Sequence, residues 1–184
     1  MRRLAIDPGP EMSGWVELDQ GQPVRCGHSS NAAVLAELAA CRSTCELLAV
    51  EWLYTTGKPA GQDLYLTALW AGRFVEAWPH VSILISKPTI NLHLCGDPRA
   101  RVPQVRQVLI DRFGSDRTYK GVRCPICKGK GWRGREHTPC PIWEVAPGPL
   151  KEFTVDHHWA ALAVAVTSFD RGLTCGIVMG GSSW

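Results

Sequence analysis

At 184 residues the chain is long enough for one sizeable hydrophobic core and short for two full domains. Its longest late apolar run, AALAVAV at 160–166, is far too short to span a bilayer, so the expectation is a soluble, cytoplasmic protein with no membrane partner. The formal net charge of +3 is modest, and eight cysteines behind a start without a signal-peptide pattern do not point to a disulfide scaffold.

RLAI at 3–6 and SGWVEL at 13–18 read as two strands joined by a DPGPEM turn, where Pro8 and Pro10 fix φ. QPVRCGHS at 22–29 is a weaker strand, antiparallel to the second. Asn31 is placed to cap a helix AAVLAELAACR, with Glu37 on its polar side. CELLAVEW at 45–52 has a buried-strand pattern and ends, like the first strand, in an acid. Apolar residues at 64, 66, 69, 70, 74, 75 and 78 follow the helical period, and Pro79 stops that helix. VSILIS at 81–86 is a further strand, and VPQVRQVLIDRFG at 102–114 a helix with Val102, Val105, Val108, Leu109 and Phe113 inward. A last long helix begins near Asp156 and carries HHWAALAVAVTSFDRG. A meander of strands, followed by strands alternating with helices, predicts an α/β sheet covered by helices. Residues 115–149 interrupt this rhythm with Gly, Pro, Arg and Lys and no apolar period, and read as an insertion within a single domain, 1–184.

Charge is concentrated around that insertion. Between Arg99 and Glu136 eleven Lys or Arg stand against three Asp or Glu, a local charge of +8 in a chain otherwise acidic. Such a belt suits a polyanion held by its backbone, and the plain alternative is a solvated charged loop. Arg99, Arg101, Arg106, Lys120 and Arg123 are the candidate backbone contacts. Tyr119 or Trp132 can stack on an unpaired base or simply pack its own loop.

Three acids stand at the ends of apolar elements: Asp7, Glu51 and Asp156. If the first and fourth strands are neighbours, Asp7 and Glu51 emerge at one edge, and the last helix can bring Asp156 across them. Clustered carboxylates raise one another's pKa unless a divalent ion neutralises them, and oxygen ligation favours Mg2+ or Mn2+. One or two such ions can activate water against a phosphodiester and stabilise the departing oxygen. Each acid also has a structural role open to it: an Asx turn for Asp7, a surface strand end for Glu51, a helix cap for Asp156. Of His157 and His158, adjacent on a helix, only one can face the site, with His157 favoured.

CPICKGKGWRGREHTPCPIW at 124–143 holds Cys124-x2-Cys127 and His137-x2-Cys140, a set able to surround Zn2+ tetrahedrally and stabilise a loop too polar to form a core. The stretch also resembles the zinc-ribbon repeats of DnaJ-type modules, although Trp143 stands where a fourth thiolate is expected. A degenerate, metal-free loop is the competing explanation.

LAIDPGPEMSGWVELD, LLAVEW and HHWAALAVAVT together resemble the RuvC-like Holliday junction resolvases of the RNase H-like superfamily, particularly divergent phage and prophage members, over 1–114 and 150–171. The resemblance implies an RNase H-like mixed sheet flanked by helices, with Asp7 as the first catalytic acid, Glu51 as the strand-ending glutamate, and Asp156 and His157 at the final helix. It implies a Mg2+- or Mn2+-dependent endonuclease, homodimeric, that nicks branched DNA. One departure is plain: where the family carries a second acid entering the last helix, this chain has Ala160. Three functions therefore stand at this stage. One is a structure-selective endodeoxyribonuclease cutting four-way junctions. Another is an RNase H-like nuclease on flaps, forks or RNA:DNA hybrids. The third is a zinc-stabilised nucleic-acid-binding protein with a decayed catalytic core. A nucleotide-binding fold is disfavoured, since neither GxxxxGK[ST] nor a Rossmann glycine pattern occurs.

Overall fold

The computed structural model describes residues 1–53, 61–113, 132–133, 138–139, 150, 153, 155–174 and 176–178. Strands β1 (Arg2–Asp7), β2 (Met12–Asp19) and β3 (Gln22–Ser30) form an antiparallel meander. Helix α1 (Asn31–Cys41) leads to β4 (Leu47–Trp52), α2 (Gln62–Ala77) and β5 (Val81–Ser86). Helices α3 (Lys87–Cys95) and α4 (Val102–Phe113) follow, then a two-stranded ladder of β6 (Trp132–Arg133) and β7 (Thr138–Pro139). Helix α5 (Asp156–Asp170) and strand β8 (Gly176–Val178) close the described chain. The main sheet has the order β3-β2-β1-β4-β5-β8, with β1, β4, β5 and β8 parallel. Among the described residues no helix is long and apolar enough to cross a membrane.

The period of two along each strand sorts the core into two layers. Leu4, Ile6, Trp15, Leu48 and Val50 point to α1 and α2, where they meet Val34, Leu38, Ala71 and Phe74. Ala5, Val16, Leu47, Ala49, Ile83 and Ile85 point to the opposite face, against Ala161–Val166 of α5 and Ile90, Leu109 and Ile110 of α3 and α4. The small side chains of α5 let that helix lie close to the sheet, and ten of its fifteen residues are buried. Continuing the same alternation by one step puts Asp7 and Glu51 on the α5 face.

Arg3 shares that face and is 4% exposed. Its guanidinium donates to the carbonyls of Ser168 (2.5 Å) and Leu173 (3.0 Å), tying the start of β1 to the C-terminal end of α5, where the helix dipole presents a partial negative charge.

Two local expectations change. Ser30, not Asn31, caps α1, accepting from the Ala33 amide. Asn31 instead is buried, accepting from Ser13 Oγ at 2.5 Å and donating to the Gly9 carbonyl at 3.0 Å, while Ser13 Oγ accepts from the Gly9 amide. This knot braces the DPGPEM turn directly behind Asp7. The second change is α3, which begins at Lys87-Pro88 where the sequence pattern alone offered no helix. Proline suits a first helical turn, since its missing N–H would have no intrahelical partner there, and Gly96, at φ 70°, closes the helix in the left-handed conformation.

Candidate active site

The parallel strands β1, β4 and β5 end side by side. The β1–β4 register pairs Ile6 with Val50, so the next residues along, Asp7 and Glu51, leave the sheet as neighbours. In β5, Ser86 pairs with Trp52, and Lys87 follows it at the start of α3. Open α/β sheets place ligands beyond the carboxyl ends of their strands, and this edge is such a place. The Glu51 side chain is 15% exposed, with Lys87 Nζ 3.7 Å from Oε1. Burial, then the neighbouring Asp7 charge, push the Glu51 carboxyl up to about 7, against the pull of Lys87 and His157. Lys87 thus only partly offsets the burial of Glu51 beside Asp7.

His157 approaches Asp7 from α5. Its Nδ1 lies 2.6 Å from Asp7 Oδ2, and this hydrogen bond, assisted by the charge of Asp7, raises the imidazole pKa above its ordinary 6.5 despite burial. The approach depends on Gly14. Asp7 and Gly14 are cross-strand partners, and a Cβ at Gly14 would collide with the backbone carbonyl of His157. A residue with any side chain would lift the start of α5 off the sheet. His158 is turned the other way, buried against Phe153.

These residues open onto a cleft of about 160 Å³ between the sheet edge, α3, α4 and α5. Asp7, Glu51, Lys87 and His157 form its charged side; Ile90, Val102, Val105, Trp159, Ala160 and Ala163 form an apolar side. Asp156 and Arg106 stand at the cleft and bind each other, Nη2 to Oδ1 at 2.5 Å, with the Asp156 side chain 77% exposed. The Arg106 guanidinium also lies over the Trp159 ring, 5.2 Å from its centroid.

Asp7, Glu51, Asp156, His157 and Arg106, singled out in the sequence, therefore line one cleft. Arg99 and Arg101 are exposed on the connection between α3 and α4, and Asp97 there accepts the Arg99 amide and is not among the cleft-lining residues. Lys120, Arg123, Cys124, Cys127, His137 and Cys140 lie outside the described residues. Among the described residues no group of three or more His, Cys, Asp or Glu side chains is arranged to hold a metal ion. His157 is closed onto Asp7 and Asp156 onto Arg106, and Asp7 and Glu51 are the adjoining carboxylates at the strand ends. Two carboxylates of this kind fit a hard divalent cation, as oxygen donors without a full ligand set of their own. Lys87 lines the cleft, and Gly14 and His28 stand beside His157, placements the sequence pattern did not announce. For Gly14 and His28 the signal was the alternation that puts Val16 and Cys26 on the α5 side, since each lies two residues from one of those positions.

No protein-family model matches the chain, and no curated protein does. Solved structures do. The structure of Thermus thermophilus RuvC is similar with a TM-score of 0.60 at 14% sequence identity, over 95% of this chain and 99% of that one. T. thermophilus RuvC in complex with a Holliday junction substrate gives 0.59 at 14% identity, over 94% and 96%. At this identity the likeness establishes the fold. The described residues form the mixed, helix-flanked sheet of the RNase H-like fold.

Proposed function

We propose that the protein is a divalent-metal-dependent nuclease of the RNase H-like type, hydrolysing nucleic-acid phosphodiesters at the Asp7–Glu51 edge. The observation that carries this reading is the pair itself. Two carboxylates on adjoining strand ends open into one cleft, where burial and the Asp7 charge raise the Glu51 pKa and a divalent cation would offset both. Asp7 and Glu51 would hold Mg2+ or Mn2+. A bound ion of this kind acidifies water and stabilises the leaving oxygen of an in-line displacement. His157, already hydrogen-bonded to Asp7, orients that carboxylate and offers its other ring nitrogen to a phosphate oxygen or water. Lys87 and Arg106 supply positive charge on either side of the cleft for flanking phosphates.

Branched DNA is the first substrate class to test. The fold shared with a protein solved on a Holliday junction substrate supports it, as does the basic stretch between Arg99 and Glu136. We extend the proposal to a homodimer, which rests on the family resemblance, and to structural Zn2+ at Cys124, Cys127, His137 and Cys140, which rests on their spacing in the sequence. The experiment is cleavage, with Mn2+ or Mg2+, of a four-way junction, a flap, a fork and an RNA:DNA hybrid. Metal-dependent nicking of at least one, reduced about 100-fold or more in Asp7→Asn, is the expected result. Unaltered cutting by that variant would refute the site.

A second reading has its own support. Ala160 lies in the cleft where a further acid would complete the set, and His157 and Arg106 each occupy an acid. This favours a nucleic-acid-binding protein with a decayed centre, for which the same experiment returns tight binding and no metal-supported cleavage of any of the four substrates.

A further inference from the structure

His28 has no part in the reading above, yet it completes the row of residues from which His157 is held. Asp7 pairs with Gly14 across β1 and β2, and Gly14 pairs with His28 across β2 and β3. The three therefore lie side by side across the sheet, and the central one, lacking a side chain, is the gap into which the start of α5 descends. On one side of that gap the His157 ring is hydrogen-bonded to Asp7. On the other it is stacked on His28, with ring centroids 4.9 Å apart and planes 4° from parallel. His28 is itself wedged edge-on against His158, at 6.4 Å and 81°.

We propose that His28 is a positioning residue that fixes the plane of the His157 ring. A hydrogen bond at one nitrogen leaves an imidazole free to swing about it, and a parallel aromatic neighbour removes that freedom. The pair of constraints commits Nδ1 to Asp7 and leaves Nε2 as the ring nitrogen available to a phosphate or water. The consequence for rate rests on the nuclease reading above; the consequence for the ring does not. Stacking requires a flat ring at position 28 rather than a histidine, which separates this role from an acid–base one.

The test uses the full chain with His28→Ala and His28→Phe. In nitrogen-detected ring NMR spectra, with His157 assigned through His157→Gln, the alanine variant is expected to shift and broaden the His157 ring signals, and the phenylalanine variant to keep them sharp. In single-turnover cleavage, His28→Ala is expected to lower the saturating first-order rate constant about tenfold at an unchanged half-saturating protein concentration, and His28→Phe to restore most of that loss. Unperturbed His157 signals in His28→Ala would overturn the proposal, as would equal damage from both variants. If no variant and no wild-type protein cleaves any substrate, the nuclease reading fails, while the ring spectra still decide the role of His28.

Discussion

Glu51 carries the largest electrostatic cost at the site, and its sign can be read from stability. Its folded pKa of about 7 lies above the ordinary 4.5, so the folded state holds this proton more tightly than the unfolded chain does. The stability it contributes is complete below about pH 4.5 and is lost as pH rises through 7. In chelator-containing buffer Glu51→Gln is therefore expected to be the more stable protein above pH 7, by about 2–3 kcal/mol, and equal to wild type below about pH 4.5. Denaturant melts across this pH range check it. His157 behaves in the same direction, since its raised pKa favours the imidazolium beside Asp7. A cation entering at Asp7 competes with that proton, so Mn2+ affinity is expected to strengthen as pH rises past neutrality, and a calorimetric titration at pH 6 and pH 8 would measure it. The acids were legible in the sequence because each ends an apolar run. The contacts that occupy them were not, since the Arg106–Asp156 pair joins residues 50 apart and the His157–Asp7 pair residues 150 apart.

Elements meet at this site through two close approaches, and both are testable. Gly14 lets α5 reach the sheet, so Gly14→Ala, which would thrust a methyl into the His157 carbonyl, is expected to cost about 1–3 kcal/mol. It should also separate His157 from Asp7, which the loss of the His157 pKa elevation in an NMR titration would report. At the opposite end of α5, Arg3 donates to the Ser168 and Leu173 carbonyls, and Arg3→Met is expected to destabilise by about 1–3 kcal/mol, because the Leu173 carbonyl loses its side-chain donor while the Ser168 carbonyl keeps the Leu173 amide. Strands β1 to β5 and helices α1, α2, α4 and α5 stand in the sequence within a few residues, because periods of 2 and 3.6 survive in each of them. Helix α3 did not, because it spans nine residues and opens on a lysine and a proline. Strand β8, three residues long, gave no period to read.

At the scale of the whole molecule the sheet order brings the ends of β1, β4 and β5 to one edge, beneath a helix that starts 70 residues beyond the last of them. That convergence was visible in the sequence only through resemblance, since no local pattern states which strands are neighbours. The basic stretch between Arg99 and Glu136 belongs to this scale as well. If it tracks a nucleic-acid backbone, replacing Lys120, Arg123, Lys128 and Lys130 with Gln should weaken binding evenly across sequences. The slope of log K against log salt should flatten by nearly one for each phosphate that is no longer neutralised. A slope equal to wild type would assign the charge to solvation instead. The claim on which all of this turns is that Asp7 and Glu51 share one hard cation. Titration with Mn2+ at pH 8, following the free-ion signal by electron paramagnetic resonance, tests it directly. Saturable uptake by the wild type that disappears in both Asp7→Asn and Glu51→Gln is the predicted result, and equal uptake by all three proteins would contradict it.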